Sequence, residues 1–173
     1  MKEEKIVYFE EPGKQNTDAA LKLAKERAEK LDIKNVIVAS TSGFTAKRAV
    51  ETFKGIPLVI VGIDRERFCS ELVKEIEGEG HQVRFSREVV YSYPDLTKTV
   101  LRSFCEGMKV AVQITLIAAD EGLIPLDREV LAIAGTTHEV KQTGGSDTAI
   151  VVKPSTSDIF QELKVREIIC KPR

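Results

Sequence analysis

The chain predicts an α/β protein of three layers, with helices on both faces of a mostly parallel sheet. Three observations carry this. Strand-like and helix-like patterns alternate through the first half in units of about 25 residues, as right-handed βαβ crossovers require. Pro57-Leu-Val-Ile-Val-Gly62 is a short, unbroken apolar run between Pro and Gly, the mark of a strand covered on both faces. Asn35-Val-Ile-Val-Ala39 is a second such run, and it opens through Ser40-Thr41-Ser42-Gly43 directly into a helical pattern.

The elements follow in order. Ile6 to Phe9 is a first strand, and Pro12-Gly13 a turn. Asn16, Thr17 and Asp18 supply cap chemistry for a helix to about Lys30. Leu21, Ala24, Ala28 and Leu31 share one face, and Asp18 with Lys22 forms a favourable i,i+4 pair on the other. The helix after Gly43 carries Phe44, Val50 and Phe53 and stops at Gly55. A third helix holds Phe68, Leu72, Val73 and Ile76, closed by Gly78 and Gly80. Gln82 to Phe85 and Val89 to Tyr91 are weaker strands. Leu96, Val100, Leu101 and Phe104 suggest a helix ending at Gly107. Val110 to Ala118 reads as helix or as alternating strand, and Ala118 to Glu121 favours helix. Glu129 to Ala134 and Thr148 to Lys153 are buried strands, and Ile168-Ile169 a short last one. No linker or repeat divides the chain, so residues 1–173 are expected to form one domain.

Composition narrows the function. Apolar residues make up 42% and charged residues 31%, ordinary for a globular protein. With 26 basic and 27 acidic residues the net charge is −1, which gives no electrostatic case for nucleic acid or an anionic membrane. The three cysteines, Cys69, Cys105 and Cys170, lack C-x-x-C spacing, so neither a disulfide framework nor a metal site is expected. Val110 to Ala119, interrupted by Gln113 and Thr115, is too short to span a bilayer, and Met1 to Lys5 does not lead a signal peptide. A cytoplasmic protein is expected.

Three clusters could carry chemistry. Ser40, Thr41, Ser42, Gly43 and Thr45 lie where a strand meets a helix. Backbone N–H groups of a first helical turn lack internal partners, the helix dipole adds positive potential, and hydroxyls add donors. One hydroxyl would cap a helix; four in six positions point to a bound anion. Neither a Walker A loop nor G-x-G-x-x-G is present. Gly135-Thr136-Thr137-His138 follows a strand end, where open parallel sheets hold ligands. His138 could act as a base near neutrality or sit in a surface loop. Thr143-Gly144-Gly145-Ser146-Asp147 allows close backbone approach or a plain turn. Asp120-Glu121 at a helix C-terminus and Lys47-Arg48 in the second helix are further candidates, each equally readable as solvated surface. No catalytic constellation emerges, so the catalytic residues stay unknown.

From Asp18-Ala-Ala-Leu-Lys-Leu-Ala24 through Asn35 to Arg48 and on to Pro57 to Gly62, the chain resembles the C-terminal domain of pyruvate kinase. Helix, strand, hydroxyl-rich loop, helix and Pro-led strand agree in order and spacing. The resemblance implies that Thr41, Ser42, Gly43 and Thr45 match a loop that holds an effector's phosphate in allosteric pyruvate kinases. A catalytic (β/α)₈ barrel needs about 250 residues, so pyruvate kinase activity is not expected of this chain. With Gly144-Gly-Ser-Asp-Thr-Ala-Ile-Val-Val-Lys-Pro154 included, the chain is similar to small standalone relatives of that domain typical of archaea. Those relatives are associated with flavin mononucleotide (FMN). The resemblance thus implies a flavoprotein, possessed of a phosphate loop at Ser40 to Thr45 and of a ring site along Gly135, Thr136, Thr137, Gly144 and Gly145. The alternative is a non-catalytic regulatory module for a phosphorylated sugar or nucleotide. Domains of this type often self-associate, so a homo-oligomer is also expected.

Overall fold

The structure, a computed structural model, describes residues 1, 3–92, 94–136 and 144–173. Seven strands form one sheet: β1 (Val7–Phe9), β2 (Val36–Ala39), β3 (Leu58–Gly62), β4 (Gln82–Phe85), β5 (Val130–Ala134), β6 (Thr148–Lys153) and β7 (Lys164–Pro172). Their spatial order is β1-β7-β6-β5-β2-β3-β4. Every neighbouring pair is parallel except β5 with β6 and β6 with β7. A single reversed strand, β6, therefore accounts for the mixed character of the sheet.

The expected three layers are present. On one face lie α1 (Thr17–Leu31), α2 (Phe44–Thr52) and α3 (Ser70–Gly78), packed over Val36, Val38, Leu58 and Ile60. On the other, α4 (Asp95–Arg102) and α5 (Glu106–Asp120) accompany a core containing Ile37, Val59, Val61, Ala132 and Ile150. Successive strand residues point to opposite faces, so each unbroken apolar run serves both cores. A fully buried side chain such as Leu21 contributes about 1.5–3 kcal/mol. Arg27 binds Glu167 through Nε at 2.6 Å and Nη2 at 2.7 Å, tying α1 to β7.

Several local expectations change. Val89 to Tyr91 is irregular and adds no strand beyond β4, which forms the edge of the sheet. Gly107 ends no helix; it lies in the first turn of α5, which settles the helix-or-strand ambiguity of Val110 to Ala118 as helix. A Cβ on Gly107 would overlap Thr148 Oγ1, so glycine there lets α5 approach β6. The last strand is nine residues long, with an exposed and charged first half that masks its pattern. Asp18 pairs not with Lys22 but with Arg48 of α2, at 2.6 Å.

Burial also separates the three thiols. Cys69 is exposed, Cys105 half-buried and Cys170 buried, with burial pushing the Cys170 thiol up to about 12. Thiolate is the reactive form. Native protein mixed with Ellman's reagent at pH 8 should therefore release colour from Cys69 first. Cys170 should contribute only after denaturant is added, and its rapid labelling in the fold would contradict this burial.

A candidate phosphate and ring site at the strand switch

Neighbouring β2 and β5 lead in opposite directions across the sheet: the chain goes from β2 to β3, and from β5 to β6. Such a reversal leaves a crevice beyond the carboxyl ends of the strands. A cleft of about 320 Å³ opens there, within the roughly 300–1,000 Å³ typical of small-molecule sites. Because β6 runs backwards, its leading residues reach the same end of the sheet as the carboxyl ends of β2, β3 and β5.

Seven of the sequence candidates meet in this cleft: Ser40, Thr41, Ser42, Thr45, Gly135, Gly144 and Gly145. Gly43 supports it from behind. Its φ of 90° turns the chain into α2, and a Cβ would overlap Leu72 Cδ2 and lie 3.3 Å from Phe68. Ser40 Oγ accepts from Ala46 N at 3.2 Å, and Lys47 N donates to Gly43 O at 3.0 Å. Among the described residues, no acceptor meets the backbone N–H groups of Thr41 through Thr45. The Thr45 hydroxyl likewise has no partner among them, although Thr45 is buried. Consecutive unpaired donors at a helix start are an arrangement that can receive an anion.

Cations flank these donors. Lys14 lines the cleft, with Nζ 3.9 Å from the centre of the Phe44 ring, and Arg67 lines it from the segment before α3. Neither has a carboxylate partner among the described residues. Lys109 is engaged with Glu106 at 2.7 Å. Burial pushes the Glu106 carboxyl up, but Lys109 and Arg102 together hold it below the usual carboxylate range.

The opposite wall belongs to α5, where half-buried Val110 and the buried Ile114 and Ile117 line the cleft beside Gln113. The glycines bring the backbone close on the remaining side. A Cβ on Gly135 would overlap Gly145 O, and one on Gly145, at φ 97°, would come within 2.6 Å of Lys14 Cα and Thr17 Oγ1. Asp147, fully buried, locks this corner. It accepts from Gly13 N at 3.0 Å and from Thr148 Oγ1 at 2.8 Å. Thr136 is buried and does not line the cleft.

Thr137 and His138 lie outside the described residues. Asp120 accepts from Ser157 N at 2.8 Å, and Glu121 pairs with Arg84 at 3.4 Å; neither lines the cleft. Lys47 is exposed, and Arg48 stacks on Phe44 at 4.7 Å. The α5 wall, Lys14 and Arg67 escape a reading by sequence, since each reaches the cleft only through tertiary packing. The one local signal was Gln113, a polar interruption in an apolar helix.

A model of the pyruvate kinase alpha/beta domain matches residues 18–152, from the start of α1 almost to the end of β6. The chain belongs to this family. The pyruvate kinase alpha/beta domain here includes both sides of the strand switch and the cleft lining other than Lys14. Among solved structures, a pyruvate kinase of Cryptosporidium parvum is 15% identical, with a TM-score of 0.44 over 80% of this chain and 22% of that one. A pyruvate kinase from the same organism in complex with ADP is 16% identical, with a TM-score of 0.42 over 78% of this chain and 22% of its own. The chain thus spans about a fifth of the length of those kinases. No helix among the described residues is long and apolar enough to cross a membrane.

Proposed function

We propose that this domain binds a phosphomonoester carrying a flat ring, and that FMN is that ligand. The observation that carries the reading is the pairing, in one cleft, of unpaired N–H donors at Thr41 to Thr45 with an apolar wall at Val110, Ile114 and Ile117. A sugar phosphate needs the first and gains little from the second. Ser40, Thr41, Ser42 and Thr45 would hold the phosphate, with Gly43 shaping the turn. Lys14 and Arg67 would balance its charge. Gly135, Gly144 and Gly145 admit a ligand against the backbone, and α5 would cover a ring face and exclude water. Bound FMN would supply redox chemistry, while the protein contributes orientation and electrostatics.

Titration of the purified protein into FMN should quench flavin fluorescence and shift the visible spectrum. Thr45→Val keeps the side-chain volume and removes only the hydroxyl. It should weaken FMN by about tenfold, the scale of one hydrogen bond to a charged group, with little change in melting temperature. Unquenched flavin, together with thermal stabilisation by sugar phosphates alone, would replace this reading with the regulatory one.

A further inference from the structure

Two polar residues interrupt the apolar face of α5, and they behave differently. Thr115 is fully buried and its hydroxyl donates to Ala111 O at 2.8 Å, so its polarity is absorbed by the helix itself. Gln113 is only half-buried and lines the cleft between Lys109 and Ile117, beside Val110 and Ile114. Its Nε2 donates to Tyr91 Oη, which anchors one end of the amide. Among the described residues its Oε1 accepts no hydrogen bond. One amide N–H and the whole carbonyl are therefore left for whatever lies against the wall.

We infer that Gln113 reads the ring of the bound phosphomonoester, selecting one that carries an in-plane N–H donor beside a hydrogen-bond acceptor. The inference rests on the ring-binding reading above and adds the edge chemistry that the ring must have. A side-chain amide offers an acceptor and a donor side by side, so it pairs with an adjacent donor and acceptor through two hydrogen bonds. The pyrimidine edge of a flavin, with N–H between two carbonyls, meets that requirement; a sugar has no such planar edge. The setting makes the pairing selective. Gln113 is the uncharged polar side chain in an otherwise apolar stretch of wall. The charged residues of this helix that line the cleft, Glu106 and Lys109, are engaged with each other at 2.7 Å. A ring that lacked the N–H would leave the amide carbonyl desolvated and unpaired, which is the costly case. Tyr91 is a positioning residue here, acting through Gln113.

The test is a double-mutant cycle read by fluorescence quenching, using FMN and FMN methylated at the ring N3, which removes the N–H. Wild-type protein is expected to bind FMN at least about tenfold tighter than the methylated form. Gln113→Ala should bind both alike, about tenfold more weakly than wild type binds FMN. Tyr91→Phe should bind FMN with intermediate affinity and keep part of the discrimination. Equal discrimination by wild type and Gln113→Ala would overturn the role of Gln113 and leave flavin binding standing. Equal affinity of wild type for the two flavins would do the same. Absence of quenching by either flavin would overturn flavin binding itself, and this inference with it. Melting temperature is the control for folding, because loss of a merely structural amide would lower it without changing discrimination.

Discussion

Gly135→Ala is expected to be the most disruptive single-methyl change in the chain. The added Cβ would overlap Gly145 O and lie 2.9 Å from Ser146 Cα, and both are backbone atoms. Neither can rotate away as a side chain would. Relief would require moving β6's leading residues off β5, against the antiparallel register that pairs Ala134 with Thr148. Overpacking of this kind costs about 3 kcal/mol. For a domain of this size that is a fall of roughly 6–12 °C in melting temperature. The same shift would carry Gly145 away from Lys14, so ligand binding should fall together with stability. Differential scanning calorimetry settles the first point. A variant melting within 2 °C of wild type, on the scale of about 1 kcal/mol or less, would refute the close packing of Gly135.

Asp147→Asn should have the second largest effect. The carboxylate accepts from Gly13 N and Thr148 Oγ1. An amide keeps one oxygen and turns an NH₂ group toward donors. At least one buried donor then loses its partner, at about 1–3 kcal/mol. The effect should depend on pH. Burial pushes the Asp147 carboxyl above its ordinary range, outweighing the hydrogen bonds from Thr148, Gly13 and Thr136 that pull it down. In the unfolded chain the group ionises at about 3.9. Between that value and the raised native one, the unfolded chain has lost its proton while the native state keeps it. Wild-type stability therefore declines through this window as pH rises, and asparagine removes that contribution. The advantage of wild type over Asp147→Asn, measured by urea denaturation, should be larger near pH 4 than near pH 8. A gap that widens toward pH 8 would mean that Asp147 is held below the usual carboxylate range.

Both residues show where reading by sequence stops. The donors at Thr41 to Thr45 are local: a strand end, a turn and a helix start occupy adjacent positions, so their chemistry is legible from order alone. The βα units around them are legible for the same reason. Direction in a buried strand is not. Thr148 to Lys153 is apolar enough for either orientation, and nothing in it marks β6 as the reversed member of the sheet. The length of β7 is hidden because its first half is exposed and charged. Asp147 reads as a turn residue, and only the fold brings Gly13, 134 positions away, onto its carboxylate. The cleft's second wall has the same origin. Val110, Ile114 and Ile117 look like any helix core until α5 settles across the switch between β2 and β5.

The pairing of β1 with β7 bears on how the molecule is assembled over time. Val7 sits opposite Cys170 and Phe9 opposite Pro172, and Arg173 N donates to Phe9 O at 3.0 Å. β1 is thus synthesised well before the strand it pairs with. During translation β2, β3 and β4 can already associate through short crossovers, whereas β1 has no edge to join until residues 164–172 have emerged. Contacts this distant in sequence slow folding because loop closure precedes any reward. β1 has only three residues, and Tyr8 between its half-buried neighbours is exposed, so little holds it once docked. Amide exchange should find the edge formed by Val7 to Phe9 opening well before β2 or β5, as a small reversible latch on an otherwise finished sheet.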